Sequence, residues 1–156
     1  MIVNIRSATL EDAKGISDLI VPLTKKYVCP TCDKSVQGTL LNSMSEGNVA
    51  NYLSENYQYF VAVNGKHEII GVAGIRDTSH LYHFFVSDNG EGKGLSRKLW
   101  ERAKSEAMIS GNLGRFTVNS ALNAENIYLS FGFIRTEGIR NRGGMFDIPM
   151  MLETTC

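Results

Sequence analysis

The chain has 156 residues, enough for one domain with a buried core, and its 43% hydrophobic and 21% charged residues are those of an ordinary globular protein. Lys plus Arg equals Asp plus Glu at 16 each, so the formal net charge is zero and the basic excess of a nucleic-acid or anionic-membrane binder is missing. No run approaches the ~20 apolar residues that span a bilayer, and MIVNIRSATLED is charged too early for a secretory leader, so the expected location is cytoplasmic.

Val3 and Ile5 alternate with polar residues and predict a short first strand. Thr9, with Asp12 three residues on, has the form of a capping box, and Ala13, Ile16, Leu19, Ile20 and Leu23 share one face of the helix it opens. Pro22 is expected to kink that helix or end it nearby. Next comes CPTC, with Cys29 and Cys32. A zinc site needs about four ligands, and no second pair follows. A thioredoxin-type pair opens a helix after a strand, whereas this one follows a helical pattern. The reading is a loop with two reduced thiols, the alternatives being an intersubunit metal or a reversible disulfide.

Residues 34–56 read as one or two short helices. Residues 59–63 form a strand, Asn64-Gly65 a hairpin turn, and residues 68–76 the returning strand. A further strand over 80–86 leads into a glycine-rich turn and a helix to about Ser110 carrying Leu95, Leu99, Trp100 and Ala103 on one face. Residues 115–119 make a fifth strand, and residues 124–131 a short helix ended by Gly132. Residues 133–135 and 145–152 are expected to pair as a closing hairpin around Gly143-Gly144. Strands bunch together before the glycine turn, so the chain reads as a single α/β (α+β) domain over 1–156. Its sheet is mixed and mostly antiparallel, with about six or seven strands flanked by helices, and is not doubly wound. Arg135, Arg140 and Arg142 read as a solvated basic loop.

Gly90, Gly92 and Gly94 free the backbone where a helix begins. Unpaired N–H groups and the positive end of the helix dipole suit an anion there, a pyrophosphate above all. The spacing is not that of a P-loop, because no Ser or Thr follows Lys93-Gly94, nor of a dinucleotide fingerprint, because Arg97 stands where the third glycine belongs.

The segment Glu91-Gly92-Lys93-Gly94-Leu95-Ser96 resembles the acetyl-CoA loop of the GNAT superfamily of N-acetyltransferases, Gln/Arg-x-x-Gly-x-Gly/Ala. Glu91 replaces the usual Gln or Arg, and Ser96 the last small residue. A second stretch, Asn123-Ala124-x-x-x-Tyr128-x-x-x-Gly132-Phe133, is similar to that family's Asn-Ala, Tyr, Gly-Phe pattern, in the right order and separation. The resemblance implies a sheet splayed between its fourth and fifth strands, and transfer of acetyl from acetyl-CoA to a primary amine on a small molecule or peptide, without a metal. It implies cofactor contacts from Phe84, Phe85 and Val86, from Glu91, Gly92, Lys93, Gly94, Leu95, Ser96 and Arg97, and from Asn119 and Asn123. The closing strands often form dimer contacts in the family, so a homodimer is possible.

The same resemblance places Tyr128 near the thiol, where a phenol protonated at neutral pH can donate to the departing sulfur. It also makes His80 the candidate base, at a position where other branches carry Glu or His. The plainer alternatives are a Tyr128 that packs on Phe131 or Phe133 and a His80 that merely ends a strand. His83, three residues on, is expected on the opposite face, packed or at the surface, and His67 in solvent. A non-catalytic acyl-CoA-binding or sensor protein with the same fold, and a redox or metal-responsive module built on Cys29 and Cys32, stand as the alternative functions.

Overall fold

A computed structural model describes residues 3–88 and 94–154 of the chain. Strand β1 is Asn4–Ser7, followed by a single 3-10 turn, Leu10–Asp12, and helix α1, Ala13–Leu23. The predicted capping box is formed: the Thr9 N–H donates to Asp12 at 2.8 Å, and Arg6 holds the same carboxylate at 2.8 and 2.9 Å. That guanidinium, with the Thr9 N–H, keeps the Asp12 carboxyl below its ordinary range against the opposing effect of burial.

Pro22 stops α1 one residue later without ending the coil. The helical path widens into a π-turn, Thr24–Val28, then tightens to a 3-10 turn, Cys29–Thr31. A proline cannot donate to the preceding turn, so a change of hydrogen-bond register just beyond it is the local remedy. Two short helices follow, α2 over Lys34–Asn42 and α3 over Glu46–Ser54, the latter capped by Ser45.

The remaining elements are β2 Gln58–Val63, β3 Ile69–Arg76, β4 His80–Val86, α4 Leu95–Ile109, β5 Arg115–Ser120, α5 Glu125–Phe131, β6 Ile134–Arg135, β7 Arg140–Arg142 and β8 Met145–Glu153. The described sheet has eight strands in the order β1-β2-β3-β4-β5-β8-β6, with β7 paired to β8. All pairs are antiparallel except β4 with β5. Eight replaces the expected six or seven because the predicted closing hairpin is three strands. β7 turns into β8 through Gly143 and Gly144, both at positive φ, while residues 134–135 pair with the far end of β8.

Both faces of β2 and β3 are covered, which is why their sequences read as unbroken apolar runs. Phe60, Ala62, Ala73 and Ile75 face α4 and α5, against Leu99, Trp100, Ala103 and Phe131. Tyr59, Val61 and Val72 face α1 and α3, against Ile16, Ile20, Met44 and Val49.

Tyr59, Gly74 and His83 lie side by side on β2, β3 and β4. The Tyr59 ring lies across Gly74, where any Cβ would overlap its carbons. Gly74→Ala must therefore push the ring off its place, and we expect a loss of about 1–3 kcal/mol, the usual range for overpacking. Urea unfolding of the variant against the parent checks this; equal midpoints would show that the ring yields freely.

Candidate active site

β4 and β5 are hydrogen-bonded neighbours at only two positions, His80 with Thr117 and Leu81 with Val118. Beyond them the strands separate. β4 stays with β3 through Val86, and β5 stays with β8 from Arg115 to Ser120. The β4 edge from Tyr82 to Val86 is thus unpaired on the β5 side. A cavity of about 920 Å³ fills the gap. A strand edge of this kind accepts an extended chain with peptide-like spacing.

Of the residues expected to hold the cofactor, Phe84, Phe85, Val86, Ser96, Asn119 and Asn123 line this cavity. Glu91, Gly92 and Lys93, with Gly90, lie outside the described residues. Gly94 has φ 72° and caps α4 through its carbonyl, 3.1 Å from the Lys98 N–H. The N–H groups of the first turn then have no acceptor within the helix. Leu95 is buried in the core, so only its backbone faces the turn. Arg97 points away from the gap: it donates to the Ser130 carbonyl at 2.6 Å and covers the Phe131 ring.

Tyr128 lines the cavity from α5 and is 7% exposed. Its ring meets Phe84, Phe131 and Phe133 at centroid distances of 6.2, 6.4 and 5.9 Å. No described residue hydrogen-bonds its hydroxyl, and burial holds that phenol above its ordinary pKa. Packing and a free donor therefore coexist in one side chain.

His80 and His83 do not face opposite ways. Leu81 pairs with Ile75 and His83 with Gly74, so Tyr82 is one residue too many on β4. This bulge resets the alternation and brings both histidines to the α1–α3 face, where both line the cavity. His80 Nδ1 lies 2.8 Å from the Thr117 hydroxyl. Burial first, then the charge of Arg76, pushes its pKa down to about 4. His83 is fully buried, and burial alone pushes it down to about 3. Its Nδ1 lies 2.7 Å from the Tyr59 hydroxyl. That hydroxyl has no other acceptor among the described residues, and as a buried phenol it keeps its proton. Tyr59 therefore donates, Nδ1 accepts, and the His83 proton sits on Nε2.

Three further features escaped the sequence. The π-turn straps the cavity: Tyr27 accepts from Asn123 through its carbonyl at 2.8 Å and donates to Asp88 through its hydroxyl at 2.6 Å, and Lys26 joins Asp88 at 2.8 Å. Arg140 and Arg142 are not a solvated loop. Both clamp Asp147, whose side chain is 5% exposed, while Arg135 pairs with Glu125. Arg76 lies opposite His80 in register and covers the Tyr82 ring at 5.6 Å. Cys29 is buried and Cys32 half-buried; both thiols are free, and Cys32 donates to the Val28 carbonyl. Among the described residues, no group of three His, Cys, Asp or Glu is arranged to hold a metal, and no helix is long and apolar enough to cross a membrane.

The profile of the acetyltransferase (GNAT) domain family matches residues 28–154. No curated protein matches in sequence. Solved structures do. A GCN5-related N-acetyltransferase from Rhodopseudomonas palustris aligns with TM-score 0.81 and 17% identity over 99% of both chains. The PaiA N-acetyltransferase of Thermoplasma acidophilum, in complex with coenzyme A, aligns with TM-score 0.81 and 14% identity over 99% of this chain and 100% of that one. The spermidine/spermine N-acetyltransferase SpeG of Vibrio cholerae gives 0.64 and 17%, over 96% and 92%.

Two histidines held neutral have a consequence for stability. Each binds its proton more weakly in the folded chain, so stability is full above the unfolded pKa of ~6.5 and falls as pH drops toward the folded values. Between about pH 6 and 4.5, His83 should contribute a slope of roughly 1.4 kcal/mol per pH unit, and the less buried His80 a smaller one. Urea unfolding across this window checks it: His83→Asn should flatten the slope, and an unchanged slope would place the acid sensitivity elsewhere.

Proposed function

The chain belongs to the GNAT acetyltransferase family, and we propose that it moves acetyl from acetyl-CoA to a primary amine by direct attack in a ternary complex. The observation that carries this reading is the parting of β4 from β5. It leaves a free strand edge, a cavity behind it and the start of α4 at one end. The pantetheine arm, with its two amides, pairs as a short strand with β4 at Phe84, Phe85 and Val86, and Asn119 and Asn123 flank it from the β5 side. The pyrophosphate lies at the start of α4, at Gly94 and the residues just before it, where the first N–H groups of the helix and its dipole favour negative charge.

The chemistry balances as follows. The neutral amine nitrogen attacks the thioester carbonyl carbon, the C–N bond forms, and the tetrahedral intermediate expels the thiolate. The nitrogen loses one proton and the sulfur gains one. Tyr128 supplies the sulfur proton: burial keeps the phenol protonated beforehand, the hydroxyl donates as negative charge builds on the departing sulfur, and the residue takes its proton back from solvent before the next turnover. His80 receives the nitrogen proton, directly or through water. With its pKa near 4 it is in the basic form throughout the physiological range. It passes the proton on to solvent and contributes no limb to the rate profile between pH 6 and 9; any limb there reports the acceptor amine.

The direct test is release of free coenzyme A thiol from acetyl-CoA with a panel of primary amines. Binding of acetyl-CoA without release in any of them would leave a non-catalytic acyl-CoA-binding protein.

Tyr128→Phe removes a hydroxyl that no described residue uses, so the fold should be indifferent. Turnover should fall about 10²-fold with little change in acetyl-CoA affinity, because the proton is needed only as the thiolate leaves. Steady-state kinetics with calorimetry on coenzyme A separate the two; equal kcat with chemistry rate-limiting would return Tyr128 to packing alone.

Gly94→Val places a β-branched residue at φ 72°, a conformation costing about 1–3 kcal/mol. Coenzyme A binding should weaken at least about tenfold as the helix start reorganises. Unchanged affinity by calorimetry would move the phosphate site elsewhere.

A further inference from the structure

The acceptor end of the cavity has a charge pattern that selects among amines. Arg76 enters from β3, opposite His80, and Arg142 enters from β7. Asp147 is the only carboxylate among the described residues that line the cavity, and it is already spent. Arg140 Nε reaches one of its oxygens at 3.0 Å, and Arg142 Nε and Nη2 reach the other at 3.0 and 2.5 Å. Two guanidiniums share that one carboxylate, with Glu137 acting on Arg140, so the arginine that lines the cavity, Arg142, is not fully neutralised. Arg76 is a second such cation; its nearest anion is the exposed Asp77, at 3.6 Å and facing solvent. The histidines between them are neutral. Leu23, Leu40, Met44 and Phe146 give the same cavity apolar walls, with Ser43 and Tyr82 as uncharged polar groups among them.

Resting on the acetyltransfer reading, we propose that the acceptor is a primary amine that also carries a carboxylate and an apolar body, an amino-acid-like molecule, with Arg76 and Arg142 binding the carboxylate. A polycationic amine meets the opposite arrangement, cations where it needs anions. The pairing also serves the reaction. The carboxylate of a free amino acid stabilises the neighbouring ammonium; neutralised by guanidinium, it no longer does, and the amine deprotonates more readily. One set of contacts thus fixes the acceptor and raises its neutral fraction.

The test uses matched probes on the full chain. N-acetylphenylalanine and N-(2-phenylethyl)acetamide, acetylated products with and without a carboxylate, are titrated into the protein loaded with coenzyme A. Phenylalanine, phenylalaninamide, phenethylamine and spermidine are compared as acceptors by thiol release. The carboxylate-bearing product should bind at least about tenfold more tightly than its partner, the worth of one charge-assisted hydrogen bond. Phenylalanine should exceed the other three amines in kcat/KM. Arg76→Glu should bring the binding ratio to one or below, and Arg76→Gln should fall between, guarding against loss of fold in the charge reversal. Equal or tighter binding of the uncharged product, a preference for phenethylamine or spermidine, or a ratio unchanged in both variants would overturn the proposal while leaving acetyl transfer standing. Carboxylate-selective binding with no thiol release from any amine would instead overturn the catalytic reading and keep the anion site.

Discussion

The separation of β4 from β5 after two paired residues is the constraint on which the site depends. It is enforced from both sides. β4 is held along its length by β3, and β5 along its length by β8. Both partner strands are themselves pinned by buried side chains, Val72, Ala73 and Ile75 on one and Ile148, Met150 and Leu152 on the other. With each strand held by a packed outer neighbour, closing the gap would mean moving one half of the sheet, with its core, against the other. The exposed edge, ordinarily a liability, is stable because the alternative is worse. What stands along that edge, Phe84 and Tyr128 on one side and His83 and Phe85 on the other, follows from it.

A second device depends on the first. The bulge at Tyr82 sits just where the pairing with β5 ends. There the ladder has lost one of its two neighbours, and an extra residue costs least. By shifting the alternation, the bulge turns His83 toward Tyr59. Gly74 lets the Tyr59 ring cross the intervening strand to reach it. A glycine, a tyrosine and a bulge thus fix the tautomer of one buried imidazole. Its remaining N–H, on Nε2, is oriented before any ligand arrives, and a preset neutral donor costs no reorganisation when charge develops nearby.

Much of this was legible in the sequence. The apolar runs of β2 and β3, the Asn-Gly hairpin and the Asn123–Phe133 pattern carry local signals that their elements obey. What escaped was what period-counting cannot see. A bulge changes the phase of a strand without changing its composition, so His80 and His83, three apart, looked opposed. Arg140 and Arg142 looked like a solvated loop because their partner, Asp147, lies across a hairpin among apolar residues. Lys26 and Tyr27 lie 62 and 61 positions from Asp88, and nothing local announces the strap they make. Pro22 announces a disturbance of the helix; that the coil continues as a π-turn, carrying Tyr27 over the cavity, depends on tertiary partners.

Burial and arginine together set the electrostatic character of the cavity. Both histidines that line it are neutral well below neutral pH, and its one described carboxylate is paired. The charge it presents is therefore that of guanidiniums, which do not titrate. Such a site cannot deprotonate an ammonium with a strong internal base, since an imidazole with a pKa near 4 binds a proton only weakly. It favours the neutral amine by making the cation expensive: positive neighbours repel it and apolar walls desolvate it. On the proposed reading, His80 then need only relay a proton that the surroundings have already loosened. The same features that make the histidines poor bases in isolation would, for a bound amine, favour loss of its proton.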